Sequence, residues 1–259
     1  MRARDFVKLP HITSYEVLRN KHSTTLENFD TMDELELFLK KNYTIFFSHQ
    51  WLGWTAPDPG IERQFPIMQA AAKQLAEENA SLDKSFIWFD FGSIPQKNRA
   101  TQMLAVNALP AISSSLHSFV IVAPTAKHFN TGDVCDVKTY NRRGWCRAEV
   151  FSHASRRGFN NMYLATGVDD IKKVSDKEFN ISDAVKVFGG EYTCCRLNHP
   201  DNGKCDKEEL LEVSFTQSLS AQLLQKLNNS LYDYSARPIN CSQCSASTAT
   251  CTSADFLLG

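Results

Sequence analysis

Trp145 and Glu149 stand four residues apart in the segment Tyr140-Asn141-Arg142-Arg143-Gly144-Trp145-Cys146-Arg147-Ala148-Glu149-Val150. If a helix opens near Trp145, the two share a face, because residues four apart are neighbours on a helix surface. A carboxylate beside an indole can accept hydroxyl hydrogen bonds and stabilise a developing cation, and the indole can stack on a flat ring. The same spacing also suits a tryptophan in the core, with Glu149 paired to Arg147, Arg143 or solvent. Spacing alone leaves both open. His49 follows an apolar run, with Ser48 before it and Trp51 just after. Its near-neutral pKa suits a general base, although a histidine at a strand exit also serves as a cap or core residue. Asp90 ends another apolar run and either meets a ligand or satisfies the backbone N–H groups of the following turn.

Cysteine supplies the second constellation. Of the 8 cysteines, Cys194, Cys195, Cys205, Cys241, Cys244 and Cys251 fall in the last quarter of the chain, while Cys135 and Cys146 lie near the middle. Cys194-Cys195-x3-His199-x5-Cys205, with Cys241-x2-Cys244 further on, has ligand types that can build a tetrahedral zinc site. A long helical pattern separates the halves, and one Cys-x2-Cys is a weak signal. The expectation is therefore unconnected thiols, kept reduced, and no metal.

These residues need elements to position them. Residues 1–42 contain one clear helix, where Thr31 and Glu34 have capping-box spacing and Leu35, Phe38 and Leu39 share a face. Residues 43–48, 86–90, 119–122 and, more weakly, 162–164 read as strands. Between them, Phe65, Met68, Ala72 and Leu75 recur at helical spacing, as do Ala105, Leu109, Ile112 and Leu116; Pro110 is expected to kink or split the second helix. The 92–95 stretch reads as a loop. Strands without in-out alternation, separated by helices, predict an α/β fold with a parallel sheet covered on both faces. In such sheets ligands bind beyond the carboxyl ends of the strands. Ser48 to Trp51, Asp90 and the loop after Val122 then line one rim. Beyond residue 168 the pattern is helical, with starts at Ser175/Glu178 and Asp206/Glu209 and an apolar stripe of Leu211, Phe215, Leu219, Leu223 and Leu227. Residues 235–259, rich in Ser, Thr, Ala and Cys, read as a flexible tail. The expected organisation is a helical lead (1–42), a principal domain (43–168), a helical extension (169–234) and that tail.

Three segments, in order, resemble a known family. Tyr-x4-Trp-Cys-x2-Glu at residues 140–149 is similar to the third-helix motif of Toll/interleukin-1 receptor (TIR) domains. Thr44-Ile45-Phe46-Phe47-Ser48-His49 resembles their first strand, and residues 86–90 their second, which ends in Asp. The fungal heterokaryon-incompatibility domain is similar at the same places: Ser48-His49-Gln50-Trp51, residues 88–96 and Arg143-Gly144-Trp145-x3-Glu149. The resemblance spans residues 43–168, without a recognisable fifth strand, and Ile94-Pro95-Gln96 stands where plant members carry Arg-Gly. It implies a flavodoxin-like, TIR-type sheet and, as in many members, cleavage of NAD at the nicotinamide–ribose bond. Glu149 takes the position of the catalytic residue. Trp145, Ser48, His49, Trp51 and Asp90 would line the substrate cleft. NAD is then a substrate, no cofactor is required, and the domain self-associates in defence, cell-death or self-recognition signalling. The alternative is an adaptor of the same fold without turnover.

Composition narrows the remaining classes. Lys plus Arg is 28 against 29 for Asp plus Glu, a net charge of -1, so there is no basic field for nucleic-acid binding. With 42% hydrophobic residues a packed core is assured. No apolar run approaches the ~20 residues of a membrane span, and no secretory h-region follows the N-terminus. The chain is expected to be soluble and cytoplasmic, with neither nucleic acid nor membrane as a partner.

Overall fold

Tyr43–His49 forms β1, buried along almost its whole length. A strand covered on both faces needs a neighbour on each side and helices above and below. A computed structural model, describing residues 1–175, 179, 182, 186–197 and 205–210, supplies both. Strands β2 (Ser85–Phe89) and β3 (Ser118–Val122) flank β1 in parallel, pairing Phe47 with Phe89 and His49 with Val122. A two-stranded hairpin, β4 (Ala126–Lys127) and β5 (Val134–Cys135), follows. Then β6 (Met162–Gly167) joins β3 in parallel, and β7 (Asp170–Lys173) returns antiparallel along β6.

The sheet order β2-β1-β3-β6-β7 is flavodoxin-like. The chain leaves β1 for β2 on one side and crosses back to β3 on the other. That makes the carboxyl ends of β1 and β3 the topological switch point, where open α/β sheets bind ligands. Ser48, Asp90 and the end of Val122 lie along this edge, as the alternation of strand and helix patterns predicts.

Alternation along β1 divides the core in two. Ile45 and Phe47 face a cluster built with α1 (Ala3–Phe6) and α4 (Phe65–Asn79). Phe6 is its hub, with the rings of Phe47, Phe65 and Phe89 5.4–5.9 Å away. Phe46 faces the second cluster, with α6 (Arg99–Ser115) and α8 (Gly144–Arg157). On that face three registered rings, Trp88, Phe46 and Phe119, stack across neighbouring strands at 4.4 and 5.1 Å. Residues 1–2 cover the outer edge of β2, where Ile87 N–H donates to the Met1 carbonyl at 2.7 Å.

Several elements differ from their sequence patterns. The first 42 residues hold α1, α2 (Tyr15–Lys21) and α3 (Met32–Leu39), where the periodicity marks one helix. The patterned one, α3, has both hydrogen bonds of the Thr31/Glu34 capping box. Asp90–Ser93 is a short helix, α5, where Asp90 was expected to end the second strand and residues 92–95 to form a loop. Pro110 does not split α6, which runs unbroken through it. The edge strand β7 lies beyond the span of the resemblance and has no apolar run to announce it. Residues 206–210 are helical, as the Asp206 start predicts. The expectations for Glu178, for the 211–227 stripe and for residues 235–259 lie outside the described residues.

The chain divides into two units, Met1–Gly190 and Glu191–Gly259; among the described residues, β1 to β7 all belong to the first. At the end of that unit Gly190 packs onto the backbone where α8 begins. A Cβ on Gly190 would fall 2.5 Å from the Gly144 Cα, so only glycine permits this approach. Arg147 Nη1 donates to the Lys186 carbonyl at 2.8 Å and ties the same segment to α8.

Candidate functional site at the switch point

Ser48 and His49 are consecutive in β1 and therefore point to opposite faces of the sheet. Ser48 shares the face of Phe46 and meets α7 (Val137–Tyr140) and α8. Its hydroxyl donates to Glu149 Oε2 at 2.5 Å and contacts Tyr140 Oη at 2.5 Å. A serine has one hydroxyl proton, so Tyr140 must be the donor in the second bond. The order is Tyr140 to Ser48 to Glu149, a three-group relay inside the protein.

Glu149 is 8% exposed, and no cation pairs with it among the described residues. Burial raises its pKa to about 8; the Ser48 hydrogen bond opposes the rise and the negative Asp90 adds to it. Removing a carboxylate from water penalises the charged form. Burial also pushes the Tyr140 phenol and the Cys146 thiol well above their ordinary values, so both stay protonated.

On the other face, Asp90 collects three donors. His49 Nε2 bonds Oδ1 at 2.8 Å, Trp51 Nε1 donates to Oδ2 at 2.6 Å, and Phe91 N–H donates to Oδ1 at 2.6 Å. A carboxylate only accepts, so Nε2 carries the proton. Burial lowers the His49 pKa more than Asp90 raises it, and the imidazole is neutral at pH 7. Its Nδ1 is buried with no hydrogen-bond partner. Asp90 thus both satisfies the turn that follows it and orients His49 and Trp51.

The rim residues named by the sequence therefore fall into two groups. Ser48 and Glu149 meet directly; His49, Trp51 and Asp90 form a second cluster across the strand. Cys146, on α8, bridges them weakly, its thiol 3.7 Å from the His49 carbonyl. Trp145 is half-buried against the apolar cluster on the α8 side of the sheet. An open depression of about 490 Å³ along α4, lined by residues including Lys73, Glu77, Glu78 and Val168, contains none of these groups. It mixes charges and converges on nothing, and the switch point has the better chemistry.

Three residues supporting the site were not singled out as site residues by the sequence. Tyr140 was within reach, since it opens the Tyr-x4-Trp motif. Gln50 fastens the end of β1 to the start of α7 by donating to the Asp136 carbonyl and Thr139 Oγ1, and nothing in its spacing signals that. Asp58, 4% exposed, accepts the Arg63, Gln64 and Phe65 N–H groups at 2.8–2.9 Å and so caps α4 from outside the helix. Its only local cue is the turn-forming Asp-Pro-Gly of residues 58–60.

The second unit gathers sulfur. Cys194 and Cys195 lie on the helical turn Thr193–Arg196, and Cys205 directly precedes the 206–210 helix. All three are free thiols, with sulfurs 3.9 Å (194–195), 4.0 Å (194–205) and 3.6 Å (195–205) apart, while His199, Cys241, Cys244 and Cys251 lie outside the described residues. Burial raises the Cys194 pKa to about 11.

No protein-family model, no curated protein and no solved structure matches the chain.

Proposed function

We propose that the chain is a TIR-like NAD hydrolase cleaving the nicotinamide–ribose bond, with Glu149 as the catalytic residue. One observation carries this reading: an unpaired carboxyl, held by Ser48, lies at the switch-point edge of a flavodoxin-like sheet. In NAD the nicotinamide ring is cationic. Its bond to the ribose breaks with the electron pair passing to the ring nitrogen, so the leaving group departs neutral and needs no general acid. The ribose becomes oxocarbenium-like, and an adjacent anion stabilises it. Water adds at the ribose carbon and gives up one proton, which the Glu149 carboxylate accepts. The Ser48 hydroxyl orients that carboxylate, Trp145 supplies a wall for a flat ring, and His49, Trp51 and Asp90 line the rim. No cofactor is required. The setting is cytoplasmic signalling in defence, cell death or self-recognition; among the described residues no helix is long and apolar enough to cross a membrane.

The test is nicotinamide release from NAD by wild type and Glu149→Gln at equal oligomeric state. Glutamine keeps the shape and removes the charge, so turnover should fall ~100-fold or more, the scale of one well-placed electrostatic contact. With a Glu149 pKa of about 8 in the free protein, kcat/KM should rise about tenfold per pH unit below that value and level off above it. Equal cleavage by both proteins would remove Glu149 from the chemistry.

A non-catalytic assembly module is the second reading, favoured by a different observation. Two touching loops display Trp54 (47% exposed), Ile61 (77%) and Phe129 (65%), with Gly60 against the Phe129 ring and Phe129 N–H bonded to the Leu52 carbonyl. An assembled protein that leaves NAD intact would decide for this reading.

A further inference from the structure

The geometry points to a zinc site built on Cys194, Cys195 and Cys205 in the second unit, structural in role. Zinc holds thiolate sulfur at ~2.3 Å in a tetrahedron, which sets neighbouring sulfurs ~3.8 Å apart. The three separations, 3.6, 3.9 and 4.0 Å, bracket that edge length. All three sulfurs lie within one small sphere, and no other such group of ligand atoms occurs among the described residues.

Disulfide chemistry does not account for the cluster. A disulfide needs sulfurs ~2.05 Å apart, and three thiols leave one over. Apolar packing of thiols accounts for burial but not for a closed triangle from two separate chain segments. The surrounding backbone suits a charged sulfur: Asp206 N–H is directed at Cys194 Sγ at 3.4 Å. An amide donor of this kind stabilises a thiolate more than a thiol. The arrangement of two cysteines on one helical turn and a third at the start of the next helix lets a single ion cross-link both.

Around the cluster, the described part of this unit buries Tyr192, Cys195, Cys205, Glu209 and Leu210. Binding converts three thiols to thiolates and releases three protons as the zinc ion enters, so affinity falls with acidity.

Three readings on the full chain test this. Protein purified without chelator should contain about one zinc per chain by elemental analysis, or take up one from added zinc chloride. Mass-spectrometric mapping of alkylated thiols should show Cys194, Cys195 and Cys205 protected together with zinc and modified together once a chelator removes it. Cobalt substituted for zinc should give the intense thiolate-to-metal absorption of a tetrahedral sulfur site, lost in Cys195→Ser and Cys205→Ser but kept in Cys135→Ser. The protection experiment uses only wild type, so it holds even where a serine variant fails to fold. Failure to bind added zinc, zinc retained by the Cys195→Ser/Cys205→Ser double variant, or a Cys195–Cys205 disulfide in freshly reduced and purified protein would overturn the assignment.

Discussion

Ser48 is the residue on which the candidate site turns, because its one hydroxyl satisfies two buried groups at once. Ser48→Ala leaves the Glu149 carboxyl and the Tyr140 hydroxyl without their shared partner, and each unsatisfied buried group costs ~1–3 kcal/mol. The urea midpoint should fall accordingly, and NAD cleavage with it. Glu149 behaves in the opposite sense at high pH. Its folded pKa of about 8 lies above the ordinary carboxyl value of 4.5, so its contribution is fully present below pH 4.5 and lost as pH rises through 8. The loss accrues at ~1.4 kcal/mol per pH unit across that window. Glu149→Gln does not titrate and should therefore melt at a higher temperature than wild type at pH 8.5, with the gap closing near pH 5. Parallel melting curves at all pH values would mean that the carboxyl is better solvated than its surroundings indicate.

At the scale of elements, the site is held by fasteners outside regular structure. Asp58 caps α4 through three backbone N–H groups and places a negative charge at the positive end of that helix. Asp58→Ala should cost ~2 kcal/mol, the upper range for a lost cap, and Asp58→Asn clearly less; chemical denaturation of the two variants side by side measures this. The start of α8 depends on Gly190 in the same way. Gly190→Ala drives a methyl into the Gly144 backbone, where no flexible side chain can yield. A loss of ~1–3 kcal/mol is expected from such overpacking. Because Glu149 lies little more than one turn into α8, this variant should also reduce NAD cleavage beyond what its lower stability explains.

At the scale of the molecule, Trp54 and Ile61 lie on the loop after β1, and Phe129 lies on the turn between β4 and β5. Exposed apolar clusters of this kind mark contact surfaces. If copies of the chain associate there, Trp54→Ser with Phe129→Ser should lower the solution mass measured by light scattering. The fold should survive, since Phe129 is 65% exposed and Trp54 is only half-buried. A coupled fall in NAD cleavage would tie assembly to catalysis; unchanged mass in wild type and variant would place self-association elsewhere.

Much of this fold was legible in the order of residues. The runs of β1, β2 and β3 are apolar on both faces, which only a covered parallel sheet accommodates, and α3 and α4 carry their periodicity openly. Trp145 and Glu149 on one helix, Ser48 near the end of β1 and Asp90 directly after β2 follow from the same local patterns. What those patterns do not encode is which strand neighbours which, and β7, a short polar edge strand, carries no apolar signal at all. That Ser48 and His49 point to opposite faces follows from the period of a strand, but tertiary packing alone decided that the first meets Glu149 and the second Asp90. The sulfur cluster is the same lesson in the second unit: Cys194 and Cys205 are eleven residues apart in the chain, and only the return of the backbone brings them within reach of one ion.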